Sequence, residues 1–170
     1  LRLGRIGGTV GEDPYLIADM GIGFVKGYQA HRISCMPKCV VAHGSPTGGV
    51  NCAQVSGGER EVRNLFLYPF ARVIAATSPL AVMSCYSAFD GVPVSGSRYY
   101  MTDVLRGELG FRGYVYSDWG SGDRLKTFNY AVDTSADAAR QSLVSGIDLT
   151  VDSAYQVLRK HVEAGKCAME

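Results

Sequence analysis

The amino-acid sequence predicts an α/β fold in which parallel strands alternate with helices. Three observations predict it. Short apolar runs alternate with stretches of helical periodicity along the chain. The run Leu80-Ala81-Val82-Met83 is nearly continuous in its apolar character, as in a strand covered on both faces. Chemically versatile residues gather at the far ends of these runs, where the loops of a parallel sheet converge.

Taken in order, Asp13-Pro14 opens the first helix, since Asp caps and Pro suits the first helical position. Ile17, Met20, Phe24 and Tyr28 then recur at helical spacing. A strand is expected over residues 33–39 and a second helix over 58–77, with Val62, Leu65, Phe66, Pro69, Phe70 and Val73 on one stripe. Pro69 lies inside it and predicts a kink. A strand over 80–86, a helix over 99–108 and a strand over 114–119 follow. The helix over 135–145 is stopped by Gly146, and a strand over 147–151 leads to a helix over 153–164, stopped by Gly165. Strand followed by helix, repeated, implies right-handed crossovers. Neither a linker nor an internal repeat divides the chain, so residues 1–170 read as one unit.

Four strands are too few to close a barrel, and 170 residues fall below the ~250 that a complete (β/α)8 barrel usually needs. Open edges are an aggregation hazard, so further chain is expected on both sides. Neither a basic region nor a signal-like apolar stretch follows Leu1, which favours a start upstream. The net charge of +1, without a basic block, argues against nucleic acid or an anionic membrane as partner. No apolar run approaches the ~20 residues that span a bilayer. Five cysteines without a repeating spacing read as free thiols instead of a disulfide framework.

Lys38, Tyr86, Asp118 and Asp152 fall at or just beyond the predicted strand ends. Read alone, an Asp-Trp pair after an apolar strand is a helix cap with a packing aromatic, Lys38 a solvated charge, Arg5 an ion-pair partner of Glu12 or Asp13, and Tyr86 a ring closing the core. Asp152 reads as a loop residue or cap and is left out of the site. Glu59 and Glu61 suit an exposed first helical turn. Cys35, Cys39 and His43 have a four-residue spacing that invites zinc, but it runs along a strand into a loop without an evident fourth ligand. Gly21-Ile22-Gly23 lies inside a helix, not at a strand-to-helix turn, so it is no dinucleotide fingerprint. No metal and no cofactor are expected.

One stretch changes the balance: Leu109-Gly110-Phe111-Arg112-Gly113-Tyr114-Val115-Tyr116-Ser117-Asp118-Trp119-Gly120. It resembles the nucleophile strand of the family 3 glycoside hydrolases, G-F-x-G-hydrophobic-V-x-S-D-W. Other segments resemble the same family in the same order. Gly4-Arg5 with Gly11-Glu12-Asp13-Pro14-Tyr15 is similar to W-G-R…G-E-D-P-Y. Ala42-His43-Gly44-Ser45-Pro46 with Gly48-Gly49 and Asn51 is similar to A-H-G-x-P-x-G-G-x-N. Gly58-Glu59-Arg60-Glu61, Met83-Ser84-Cys85-Tyr86 with Asp90-Gly91-Val92-Pro93, and Thr102-Asp103-Val104-Leu105-Arg106 complete the set. The resemblance covers nearly the whole chain and implies part of a TIM-type (β/α)8 barrel.

The resemblance further implies a retaining β-glucosidase or β-xylosidase acting on terminal, non-reducing β-linked glycosides or oligosaccharides. Asp118 is then the catalytic nucleophile that forms a glycosyl-enzyme, which water hydrolyses. Arg5 and Lys38 would bind sugar hydroxyls, Tyr86 would hydrogen-bond the nucleophile, and Trp119 would offer a flat wall to the sugar ring. Three departures stand out. Cys39 replaces the family's His after Lys38, and a thiol donates weakly beside an imidazole. Leu3 replaces the Trp of W-G-R, and the sugar-binding Asp that normally precedes it would lie before Leu1. The family's general acid/base is a Glu from a later sandwich domain or an outside loop, so missing barrel and sandwich segments are expected in the full-length protein. The alternative is a non-catalytic sugar-binding remnant of the same barrel.

Overall fold

The computed structural model describes residues 2–4, 6–151 and 154–165. In chain order its elements begin with α1 (Pro14–Ala30), β1 (Lys38–Val40), α2 (Glu59–Glu61) and α3 (Tyr68–Thr77). They continue with β2 (Ala81–Ser84), β3 (Ala88–Phe89), β4 (Val92–Pro93) and β5 (Tyr114–Tyr116). Three helices close the series: α4 (Ser121–Thr127), α5 (Ser135–Ser145) and α6 (Leu158–Glu163).

The sheet is parallel, in the order β1-β2-β5. Its register levels the strands, because Lys38 pairs with Met83 and Met83 with Tyr116. The expected fourth strand joins through a single parallel bridge between Tyr116 and Leu149. Helices link successive strands, as the alternation of runs and periodicities predicts. β2 is buried at every position, which accounts for its unbroken apolar sequence.

The first strand is shorter than expected. Residues 33–37 lie outside the ladder, which begins where Pro37 accepts a hydrogen bond from Met83 N–H at 3.0 Å. Lys38 therefore opens β1 and does not follow it, correcting its placement at a strand end. The register still sets Lys38 level with Tyr116, the C-terminal residue of β5, with β2 between them.

The long second helix is present but changes pitch. Between α2 and α3, Val62–Leu67 is π-helical, and Pro69 then falls in the first turn of α3. That position needs no amide hydrogen from the ring, so the wider turn absorbs the proline where a kink is expected. Tyr99–Glu108 is also π-helical and buries Tyr100, Met101, Val104 and Leu105. α1 and α5 are capped by Asp13 and Thr134 side chains, which accept from the amides of Leu16 and Asp137. Both caps satisfy orphan donors of a first turn.

The core gathers on both faces of the sheet, with Val82, Met101, Leu105, Phe111, Val115 and Ile147 almost fully buried. Each such side chain contributes about 1.5–3 kcal/mol of burial free energy. Gly113 explains one motif position: a Cβ there would meet the Leu80 carbonyl oxygen at 2.2 Å. Asp148 locks the outer side of β5. Its Oδ2 accepts from Val115 N–H at 2.6 Å and from Arg106 Nη2 at 2.6 Å, while Arg106 Nη1 donates to the Gly113 carbonyl at 2.9 Å.

α1 presents an unexpected face. Ala18 and Val25 are buried, and Gly21 sits so close to α3 that a Cβ would lie 3.0 Å from Val73. The apolar stripe of Met20, Phe24 and Tyr28 points away, exposed, beside Val10 and Ile33 in a groove of about 530 Å³. No described helix is long and apolar enough to cross a membrane.

Candidate active site

Asp118 stands two residues past β5, at the C-terminal edge of the sheet. Its position follows from Ser117, which is buried and held from the neighbouring segment. Ser117 N–H donates to the Leu149 carbonyl at 2.8 Å, and its hydroxyl accepts from Val151 N–H at 3.2 Å. The strand cannot roll without breaking both bonds. Beyond Asp118 the chain turns through Gly120, at φ 71°, into α4, and Ser121 N–H donates to the Asp118 carbonyl at 3.0 Å.

The Asp118 carboxylate is half-buried and engaged at both oxygens. Oδ1 accepts from Trp119 N–H at 2.8 Å, and Oδ2 lies 3.6 Å from Cys39 Sγ on β1. Tyr86, just past β2, lies close enough for its phenol to interact with the same carboxylate. Burial first, then the Asp118 charge and the hydrogen bond to it, hold the Tyr86 phenol well above its ordinary range, against the pull of Arg124. Cys39 is likewise pushed far up, by burial first, then by Cys85 and Asp118, while Lys38 opposes the rise. Both groups therefore keep their protons at neutral pH, and the Cys39 thiol is turned toward the carboxylate as a donor.

Of the residues expected from sequence, Trp119 hydrogen-bonds Asp118 directly and Tyr86 stands near enough to interact with it. Trp119 is 68% exposed and leaves its indole free toward solvent beside the carboxylate. Lys38 is exposed and close enough to act on Cys39, but no contact joins it to Asp118. Arg5 and Asp152 lie outside the described residues. Cys39, which stands where the resemblance implies a histidine, faces the carboxylate.

Sequence reasoning missed a supporting layer. The guanidinium of Arg124, on α4, lies 4.6 Å from the centre of the Tyr86 ring, and its Nη1 donates to Cys52 Sγ at 3.2 Å. His43 meets the Tyr86 ring edge-on, at 5.7 Å between centroids. The only available signal for Arg124 was its place six residues after Asp118, in a segment with a single core residue, Leu125. Cys85, fully buried, donates to the Val41 carbonyl at 3.1 Å, and burial pushes its thiol up to about 12. Among the described residues, Cys35, Cys39, Cys52 and Cys85 are free thiols, and no group of His, Cys, Asp and Glu is placed to hold a metal ion.

The chain is similar in sequence and fold to several known proteins. The chain is 31% identical to a β-xylosidase of Formosa agariphila over 170 residues, 95% of this chain and 23% of the relative. It is 33% identical to a lysosomal β-glucosidase of Dictyostelium discoideum over 158 residues, covering 86% of this chain and 19% of the relative. Among solved structures, a β-glucosidase from Erythrobacter marinus superposes with a TM-score of 0.92 at 32% identity, over 97% of this chain and 23% of that one. A β-glucosidase from Listeria innocua in complex with gluconolactone superposes with a TM-score of 0.91 at 28% identity, over 98% of this chain and 24% of that one. The chain thus spans about a quarter of the length of these relatives. Their fold places the parallel strand-helix repeat within a TIM-type barrel. The model of the glycosyl hydrolase family 3 N-terminal domain matches residues 2–170, and the chain belongs to that family.

Proposed function

We propose that this chain carries the nucleophile half of a retaining β-glycosidase site, acting on terminal, non-reducing β-D-glucosides or β-D-xylosides. The observation that carries the reading is the Asp118 carboxylate, set at the edge of a parallel sheet with donors at both oxygens and an exposed indole next to it. Fixed donors hold one face of the carboxylate, so a sugar resting on Trp119 would meet an oriented oxygen. The names of the relatives, β-xylosidase and β-glucosidase, support the substrate class.

In the first step an Asp118 oxygen attacks the anomeric carbon while the bond to the leaving oxygen breaks. An acid from outside this segment gives that oxygen its proton. In the second step water attacks the same carbon, releases Asp118 as carboxylate, and gives its proton to the conjugate base of that acid. Tyr86 and Cys39 donate to the carboxylate before attack and again as it departs. Lys38 and Arg5 are proposed to bind hydroxyls of the reacting sugar.

A 2,4-dinitrophenyl 2-deoxy-2-fluoro-β-glucoside tests the reading, because its leaving group departs without an acid. Mass spectrometry should find the fluoroglucosyl group on the peptide containing Asp118, and the Asp118→Asn variant should remain unlabelled. The second reading, a sugar-binding remnant, is favoured by Cys39, whose thiol is turned to the carboxylate and replaces the imidazole the family carries there. Saturable glucose binding with no label on folded protein would support it and overturn the catalytic assignment.

A further inference from the structure

We infer that Arg124 is a positioning residue for the candidate nucleophile, acting through Tyr86. The inference rests on the proposed role of Asp118 and extends it to a residue on a different element.

Three features define the geometry. Arg124 covers the Tyr86 ring, with 4.6 Å between guanidinium carbon and ring centre. Its reach is fixed at both ends: Nη1 is tied to Cys52 Sγ at 3.2 Å, and the neighbouring Leu125 is completely buried, which anchors α4 in the core. His43 touches the same ring edge-on at 5.7 Å. Tyr86 is therefore held between a cation and an imidazole ring, with its phenol close enough to Asp118 to feel that charge.

A ring held this way does two things for the carboxylate. The fixed phenol sets the carboxylate plane, together with the Trp119 amide and the Cys39 thiol, so that one lone pair is presented in one direction. The cation above the ring also draws electron density from the phenol and sharpens it as a donor. Arg124 Nε is buried and has no hydrogen-bond partner among the described residues. A guanidinium accepts that loss where its ring contact and thiol contact define its place; a methionine of similar length supplies neither charge nor donors.

The test uses the whole protein and the same fluoroglucoside, measuring the trapping rate constant and the apparent dissociation constant separately. Arg124→Met should lower the rate constant about tenfold while the dissociation constant stays within about twofold. Arg124→Lys, which keeps a cation over the ring, should recover most of the loss. In a Tyr86→Phe background, Arg124→Met should add less than about twofold, because the residue through which it acts no longer donates. A full tenfold loss in that background, or a loss matched by a falling melting temperature that Arg124→Lys does not rescue, would show a merely structural role and overturn the inference. A change in the dissociation constant alone would make Arg124 a sugar ligand and overturn it as well. If wild-type protein is not labelled at Asp118, the reading of the site fails first; label on Asp118 with unaffected Arg124 variants overturns only this inference.

Discussion

Cys39 Sγ faces Asp118 Oδ2 across 3.6 Å, from a strand two places away in the sheet. A protonated thiol at that distance is a weak donor, where an imidazole could bond a carboxylate or a sugar hydroxyl more strongly. Replacing Cys39→His in the whole protein should therefore tighten glucose binding by ~1–2 kcal/mol. Isothermal titration with glucose checks it; unchanged affinity would mean that the histidine finds no hydroxyl within reach.

Asp148 carries more than a surface ion pair, since one oxygen serves both the Val115 amide and Arg106. Asp148→Ala leaves the Val115 N–H without its partner beside a buried strand, a loss of about 1–3 kcal/mol. Hydrogen exchange at Val115 should accelerate roughly tenfold to a hundredfold. Exchange as slow as in the parent would place the stabilisation of β5 elsewhere.

Two glycines of the same motif should respond differently. Gly113→Ala drives a Cβ into the Leu80 carbonyl at 2.2 Å, a contact that only backbone movement relieves. Gly110 has a left-handed φ of +67° with no atom within 4 Å, so alanine there meets strain but no clash. Gly110→Ala should cost about 1 kcal/mol, and Gly113→Ala several times that, enough to abolish soluble expression. Comparing soluble yield and urea midpoints of the two proteins decides it.

Glu59 ties two helical stretches together by accepting from Arg63 Nε at 2.7 Å, Tyr99 at 2.6 Å and Tyr100 at 3.0 Å. Burial alone would raise its pKa, but these donors and the Arg63 charge outweigh it and hold the carboxyl below its ordinary 4.5. A depressed carboxylate stabilises the fold above its unfolded value, and that contribution is lost as pH falls through the folded one. The network should therefore hold at neutral pH and weaken below about pH 4.5. Tyr100→Phe should lower stability by ~1 kcal/mol at pH 7 and flatten the decline on acidification. Denaturation midpoints from pH 3 to 7 supply the comparison; an unaltered acid slope would assign the decline to other groups.

The outer face of α1 predicts behaviour in solution. Met20, Phe24 and Tyr28 are exposed along one groove, and among the described residues β1 has an unpaired outer edge. The 170-residue chain expressed alone should self-associate. Phe24→Glu should reduce the associated fraction in sedimentation velocity. A sharp monomeric boundary for the parent chain would rule this out.

Much of the fold is legible in the sequence because its helices announce themselves. α5 and the π-helical stretch Tyr99–Glu108 lie where the periodicity and stop signals put them, and α1 starts at Pro14, as the Asp13 cap demands. Strand limits are less legible, since apolar content does not distinguish a paired residue from an extended one. Ile33 is apolar, half exposed and outside the ladder. The hairpin of β3 and β4 escapes pattern reading because two-residue strands have no period. α4 escapes because one buried Leu125 makes no apolar stripe. Within the site, Tyr86 and Trp119 were legible beside Asp118 from the family motifs. Arg124, Cys52 and His43 were not, because their meeting depends on three separate loops and helices converging on one ring.

The hydrogen bond from the Trp119 N–H to the carboxylate of its own neighbour couples the two side chains of one dipeptide. In the proposed reaction, any backbone shift that re-angles the indole also rotates the carboxylate oxygen that would attack the sugar. Diversification toward new substrates is thereby steered away from this dipeptide and onto the surrounding loops, which can drift without disturbing the chemistry.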